Sequence, residues 1–351
     1  MAQTQALGTL EAATVPAMAA ASPAAARCRV CGSAAAAALG EVEFYCGFAC
    51  RIYDCRDCGS RFTADAGSMH DALHAAPSSS YSLYRDMAAA CKAYFDAGEL
   101  TNLRQYLSTQ RKYKFVIDTI EAGRRRGRLL EVGCSRGHLT SYFILAGCDI
   151  LATDISPHAI AAAEENFGPH FALAGAPAVA ERAPYDLIFH VGTIGCVADP
   201  LGFTQSLLDR LRPGGRLIFN APNAAACALA GQVWLDEAFP PDLLTLFRKG
   251  FWTAQFGDRA EVVETEHPRM PQQSALLDLK RFFGTAWQAP QPLPLEAGVD
   301  DLRGGRARPH DAAERLWHNV DRAAARLPQG LLRLFPEQPD PFGLFVTMTK
   351  R

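Results

Sequence analysis

Residues 129–154 read "LLEVGCSRGHLTSYFILAGCDILATD". An apolar run enters a turn carrying Gly133 and Gly137, a helical stretch follows, and a second apolar run closes on Asp154. Strand, glycine turn, helix and strand in that order form the opening unit of a parallel sheet with crossover helices. The alternation continues downstream. The pattern predicts strands over 128–132, 148–153, 170–174, 185–191 and 216–220, with helices near 137–146, 156–166 and 201–212. "LRPGG" at 211–215 is read as ending the last of these helices and turning into the strand "RLIFN". Upstream, apolar residues spaced by three and four predict helix between Tyr81 and Ala122.

In such a sheet a ligand sits beyond the carboxyl ends of the strands, so the chemistry of the first turn matters most. A dinucleotide fingerprint needs a middle glycine where this chain has Ser135, and a phosphate-binding P-loop needs Lys followed by Ser or Thr. Neither template fits. Glu131, on the strand before the turn, is unfavourable beside a pyrophosphate but useful beside an amino group. Asp154, 17 residues after Gly137, ends the second strand where a carboxylate accepts from ribose hydroxyls. An adenosine with a cationic amino-acid tail meets both demands, which points to S-adenosylmethionine.

Four segments, "LLEVGCSRGHL", "ILATDISPHAI", "YDLIFHVGTIGCVADP" and "LRPGGRLIFNAPN", stand in the order and spacing of motifs I, II, IV and V of class I S-adenosylmethionine-dependent methyltransferases. The chain resembles that family most closely over 110–225, and "PFGLFVTMTKR" resembles the fold's closing antiparallel strand. The resemblance implies an α/β fold: a doubly wound, mostly parallel, seven-stranded Rossmann-like sheet. It implies that Glu131, Gly133, Cys134 and Gly137 line the methionine end of the cofactor. Asp154 would then hold the ribose, Ile155 would flank the adenine, and His190 would lie against the cofactor tail. His190, in "FHVGT", is also the side chain at that strand end suited to removing a proton, and is expected either to do so or to pack. Two departures stand out. "FALAGAPA" lacks the acid that meets the adenine amino group in many relatives, and Gly195-Cys196 stands where many carry Glu-His. Asn220 and Asn223 in "FNAPN" read either as substrate contacts or as turn residues. The sequences around the fourth strand lack the signatures of base methylation, magnesium-dependent catechol chemistry and arginine methylation. The expected activity is methyl transfer to a small molecule without a catalytic metal.

Six of the eleven cysteines fall between 28 and 58. Cys28/Cys31 and Cys55/Cys58 each form a CxxC followed by glycine, with 23 residues between the two, and supply four sulfurs for a structural Zn²⁺. Four thiolates leave no open position, so this zinc is not expected to catalyse. Cys46 and Cys50 are either alternative ligands or plain thiols. A zinc-ribbon-like segment ahead of the main domain resembles the arrangement in a subset of these methyltransferases.

The composition divides the chain into an alanine-rich disordered tail (1–27), the zinc-ribbon-like segment (28–64), a linker and helical region (65–122) and the methyltransferase domain (123–351). That domain carries a substrate-side, partly helical insertion at about 224–340, before the last strand. A net charge of −2 argues against bulk capture of nucleic acid, and the run Arg124, Arg125, Arg126, Arg128 reads as a solvated loop. No stretch reaches the length of a membrane span, and cysteines without a secretory signal point to the cytoplasm. An RNA methyltransferase gripping its substrate with the zinc segment, and a non-catalytic binding protein on this fold, are the competing readings. Oligomeric state is not encoded in any pattern found.

Overall fold

The computed structural model describes residues 27–44, 48–63, 82–123, 127–230, 233–235, 243–268 and 339–351. The expected tail over 1–26, Cys46, the 65–80 linker, Arg124–Arg126 and most of the insertion before the last strand lie outside the described residues.

Strands β4 (Arg128–Val132), β5 (Asp149–Asp154) and β6 (Phe171–Leu173) pair in parallel. The chain then returns to the other side of β4 to lay down β7 (Tyr185–His190) and β8 (Leu211–Ala221). β11 (Pro339–Lys350) pairs antiparallel with β8, and β10 (Ala260–Pro268) pairs antiparallel with β11. The sheet order is therefore β10-β11-β8-β7-β4-β5-β6, the seven-stranded, mostly parallel arrangement expected. Its switch point lies between β4 and β7, where the outgoing chain turns both ways and leaves a crevice.

Helices α1 (Ser82–Asp96), α2 (Leu100–Leu107) and α3 (Arg111–Ala122) precede the sheet, and α4 (Thr140–Leu145) and α5 (Pro157–Phe167) cross over within it. The short α6 (Pro177–Glu181) follows β6, α7 (Pro200–Asp209) joins β7 to β8, and α8 (Ala225–Ala230) follows β8. The predicted upstream helix is broken in two places. Gly98, at φ +68°, lets the chain reverse between α1 and α2, and a tight turn at Ser108–Gln110 ends α2. "LRPGG" also differs from its expectation. α7 ends at Asp209 and β8 already begins at Leu211, because Tyr185 pairs with Leu211 and Leu187 with Arg216. The intervening residues bulge out of the ladder, with Gly214 at φ +73°.

One apolar layer packs α1–α5 on one face of the sheet, through Leu103, Val116, Ile117, Tyr142, Phe143, Phe189 and Ile218. The other face packs against α7 and α9 (Phe251–Phe256), through Ile188, Leu207, Phe219 and the fully buried Trp252. That second layer continues into a small sheet of β1 (Ala36–Phe44), β2 (Phe48–Cys55), β3 (Arg61–Thr63) and β9 (Thr245–Leu246). β9 comes from the chain beyond β8, so the cysteine segment and the main domain share a sheet. Among the described residues no helix is long and apolar enough to cross a membrane.

Candidate active site

Each strand of a sheet alternates faces, so register decides which side chains meet. Glu131 is level with Ala152, which puts Asp154 two residues further along on the same face. Gly133 and Cys134 both donate their amides to the Thr153 carbonyl, at 2.7 and 2.9 Å, and fold the turn back over β5. Asp154 then joins the two loops. Oδ2 accepts from the Ser135 amide at 2.8 Å and Oδ1 from the Ser156 amide at 2.9 Å. Ser135 is held at φ +50°, an uncommon conformation for a residue with a side chain, and the Asp154 bond helps fix it there. Each carboxylate oxygen keeps a second lone pair for another donor.

The glycines are constrained by close approach as well as by dihedral angle. Gly137 sits at φ +77°, and a Cβ there would lie 2.6 Å from the Phe171 ring. At Gly133 a Cβ would run into the Thr193 hydroxyl, so the turn after β4 and the loop after β7 are packed against each other at the switch point.

Glu131 is 3 % exposed, and its Oε2 accepts from Thr140 Oγ1 at 2.5 Å. Burial pushes its pKa up to about 8, the Thr140 bond opposes this, and the Asp154 charge adds to it. A buried acid of this kind is poised to meet a cation. Ile155 is 63 % exposed and Leu173, level with Asp154 on the neighbouring strand, is 43 % exposed. Together they offer an apolar rim beside the Asp154 carboxylate. No sequence pattern singles out Leu173, since only the pairing of β5 with β6 brings it to Asp154. Cys134 turns its thiol into the core and is 1 % exposed, so it presents only backbone to the crevice.

The description of a methyltransferase domain matches residues 102–283, just over half of the chain. The chain belongs to the methyltransferase domain family. Its class is that of the S-adenosylmethionine-dependent, class I fold, as the sheet order and the first turn also indicate. The methyltransferase domain is similar to the ubiquinone biosynthesis O-methyltransferase of Cereibacter sphaeroides (strain ATCC 17029 / ATH 2.4.9). The two are 28% identical over 123 residues, covering 32% of this chain and 50% of that protein. It is also similar to the malonyl-[acyl-carrier protein] O-methyltransferase of Enterobacter lignolyticus (strain SCF1), 28% identical over 138 residues, 38% of this chain and 55% of that protein. The chain spans about half the length of these curated relatives. Among solved structures, the plantazolicin methyltransferase BpumL, in complex with a triazolic desmethylPZN analog and SAH, covers 81% of this chain and 97% of its own. That pair is 14% identical, with a TM-score of 0.39.

His190 does not join the methyltransferase turn. Glu131 is level with Phe189, so His190 faces the opposite side of the sheet. It is 0 % exposed, stacks on Phe219 with ring centroids 4.6 Å apart, and meets Phe203 edge-on at 5.5 Å. Neither ring nitrogen has a hydrogen-bond partner among the described residues, and burial lowers its pKa to about 3. The imidazole is sealed among aromatic rings, which argues against the expected role as a base or cofactor contact. His190→Leu is expected to leave cofactor affinity, and turnover of any acceptor the wild type methylates, within about threefold, with overpacking costing at most about 1–3 kcal/mol. A turnover loss of a hundredfold with normal cofactor binding would restore the base.

Asn220 and Asn223 are likewise internal. Asn220 Oδ1 accepts from the Gly192 amide at 2.9 Å and its Nδ2 donates to the Phe342 carbonyl at 3.3 Å. Asn223 donates to Glu266 at 2.5 Å and accepts from the Ala225 amide at 3.0 Å. They fix the loop after β7 and the chain after β8, as turn residues. Gly195 also has a structural reason for departing from the family pattern. A Cβ there would strike Leu243 and come within 2.5 Å of Pro222, so the space an acidic side chain would need is filled.

The four cysteines Cys28, Cys31, Cys55 and Cys58 bring their sulfurs within 4.8 Å of one another. The two knuckles are near copies, "CRVCGS" and "CRDCGS", and fold alike. In each, the first cysteine donates its amide to the serine carbonyl and the glycine amide returns to the first cysteine's carbonyl, with Gly32 at φ +75° and Gly59 at φ +71°. The hydrogen bond from Cys28 lowers the Cys58 pKa, against the opposing effect of burial. Cys50 is fully buried in an apolar cluster with Ile52, Leu246 and Cys227, apart from the group of four.

Proposed function

We propose that this chain is an S-adenosylmethionine-dependent methyltransferase acting on a small-molecule acceptor. One observation carries the reading. Two carboxylates on one face of adjacent parallel strands, Glu131 buried and Asp154 bonded to the turn, flank a glycine turn that has no phosphate-binding chemistry. Glu131 suits an ammonium, Asp154 a pair of ribose hydroxyls, and Ile155 with Leu173 the flat face of a base. Gly133 and Gly137 allow close approach of the backbone. The cofactor supplies a methyl group already activated on a sulfonium, so the protein's work is alignment and exclusion of water. Alignment falls to the loop after β7, whose Gly192 amide is tied to Asn220 and whose Gly195 carbonyl accepts from the Leu244 amide at 2.8 Å. The similarity to two O-methyltransferases supports a hydroxyl or carboxyl acceptor.

The four-cysteine group fits a structural Zn²⁺. A tetrahedral ion with bonds of about 2.3 Å sets its sulfurs about 3.8 Å apart. Cys28–Cys58 and Cys31–Cys55 already stand at 3.7 and 3.6 Å. Cys28, Cys31, Cys55 and Cys58 would hold the ion closed to substrate. Free paired thiols of this kind suit a reducing compartment, and the cytoplasm is assigned on that basis.

Calorimetric titration with S-adenosylmethionine and S-adenosylhomocysteine tests the cofactor. Micromolar binding of both is expected, and Asp154→Ala, which releases Ser135 and Ser156 as well as the ribose, is expected to weaken it by at least about 100-fold, the loss of two charge-assisted bonds. Folded wild-type protein that binds neither ligand would sink the reading.

A further inference from the structure

Directly after Gly137, the side chain of His138 is buried, 5 % exposed, on the α1–α3 side of the turn. Tyr84 of α1 stacks on its imidazole, with centroids 5.4 Å apart and 12° between the planes. Tyr113 of α3 meets it edge-on at 5.2 Å and sets its hydroxyl 2.8 Å from Nε2. Lys112 Nζ stands 5.7 Å from the Tyr84 ring centre and 5.1 Å from that of Tyr113, so a cation lies beside the group. Burial and Lys112 keep the imidazole neutral, with its pKa lowered to about 3, and a neutral ring carries a single N–H. Burial raises the Tyr113 phenol well above its ordinary value, so its hydroxyl keeps a proton and can either donate to Nε2 or accept from it. Where it donates, the ring's own N–H is on Nδ1. That atom is buried and has no hydrogen-bond partner among the described residues. A buried polar nitrogen left unpaired is costly and calls for a partner.

The partner's identity follows from the surroundings. Two residues after His138, Thr140 grips Glu131, and Ser141 Oγ donates to the His138 carbonyl at 2.8 Å. The Glu131 charge also acts on the Tyr113 phenol that meets the imidazole, so the imidazole and the Glu131 carboxyl belong to the same end of the turn. One offers an N–H in the field of a lysine, the other an acid, which is the complement of a zwitterion. We propose that Tyr113 donates to Nε2 and that His138 Nδ1–H, so fixed, donates to the carboxylate of the cofactor's amino-acid end, while Glu131 takes the ammonium. This rests on the S-adenosylmethionine reading above.

Decarboxylated S-adenosylmethionine keeps the ammonium and sulfonium and lacks only the carboxylate, so paired titrations isolate this contact. Wild-type protein is expected to bind S-adenosylmethionine roughly 10- to 100-fold more tightly than the decarboxylated form, the range for one charge-assisted hydrogen bond. His138→Ala should erase the preference by weakening the carboxylate ligand alone. Tyr113→Phe keeps the ring packing and removes the hydroxyl; it should narrow the preference, and it keeps the test open if His138→Ala does not fold. Equal weakening of both ligands by either variant would reduce the pair to a structural role, and a wild type indifferent to the carboxylate would overturn the proposal outright. Folded wild type that binds neither ligand would overturn the cofactor reading itself, a result distinct from a lost preference.

Discussion

Glu131→Gln is expected to weaken S-adenosylmethionine binding by about two orders of magnitude, the order for loss of a buried ion pair, while making the protein without cofactor more heat-stable at alkaline pH. Both effects come from one displaced equilibrium. The Glu131 carboxyl titrates at about 8 in the fold against an ordinary 4.5, because burial penalises its charged form. Below pH 4.5 both folded and unfolded chains hold the proton and the group is neutral in its effect. As pH rises from 4.5 to about 8 the unfolded chain ionises first, and stability falls by about 1.4 kcal/mol for each pH step of one until the folded group ionises too. Glutamine carries no such cost. The variant's gain in thermal midpoint should therefore be small at pH 5 and largest above pH 8.

The same displacement couples the cofactor to protons. At pH 7 most of the protein holds Glu131 protonated, so pairing it with an ammonium must release close to one proton. Calorimetry at pH 7 in two buffers of different ionisation enthalpy measures that release directly. Affinity should climb between pH 6 and about 8, then stop rising as the ligand's own α-amino group begins to lose its proton, near 7.7–8.0 for such groups. No proton release, with binding intact, would mean that Glu131 is already ionised and that a neighbouring charge offsets its burial. A Glu131→Gln protein that still binds at wild-type affinity would remove Glu131 from the site altogether.

The parts legible in sequence were those with a local pattern. The strand, glycine turn and acid-terminated strand over 129–154 have a short-range signature, so Glu131, Gly137 and Asp154 stand out from the sequence alone. The doubled CxxC-Gly knuckle is equally local. What escaped depended on register or on distant pairing. His190 ends a strand covered on both faces, where apolar alternation gives no sign of which way a polar side chain points; only its offset from Glu131 decides. Tyr113 reaches His138 across 25 residues, and no spacing rule links a helix to a turn at that separation. Leu173 meets Asp154 only through strand pairing. The two-residue β9 has no periodicity at all, and yet it joins the cysteine segment to the rest of the molecule.

That junction makes metal removal the other experiment with a large expected outcome. The Cys55–Cys58 knuckle leads within three residues into β3, where Phe62 pairs with Thr245 and the Thr63 amide donates to the Leu244 carbonyl at 3.1 Å. Leu244 in turn donates its amide to the Gly195 carbonyl, in the loop after β7 that packs against the glycine turn. Arg61 reinforces the seam, paired with Asp54 at 2.8 Å and donating to the Val233 carbonyl at 3.0 Å. With the proposed ion bound, a segment this small, with few apolar side chains of its own, would take much of its folding energy from the metal. Removing the metal with a chelator, or breaking the set with Cys58→Ser, is expected to strip amide-exchange protection from β2 and β3 by several orders of magnitude. The loss should spread to Leu244 and the 192–196 loop, while β4 and β5 stay protected and S-adenosylhomocysteine binds within about threefold of normal, since among the described residues no hydrogen bond links the cysteine knuckles to Glu131 or Asp154. Turnover should fall far more than cofactor affinity, because the loop that aligns the acceptor is what the seam holds. If protection at β4 and cofactor binding collapse together with the small sheet, the two sheets form a single cooperative unit and the zinc segment is a scaffold for the whole chain rather than a brace for the acceptor side.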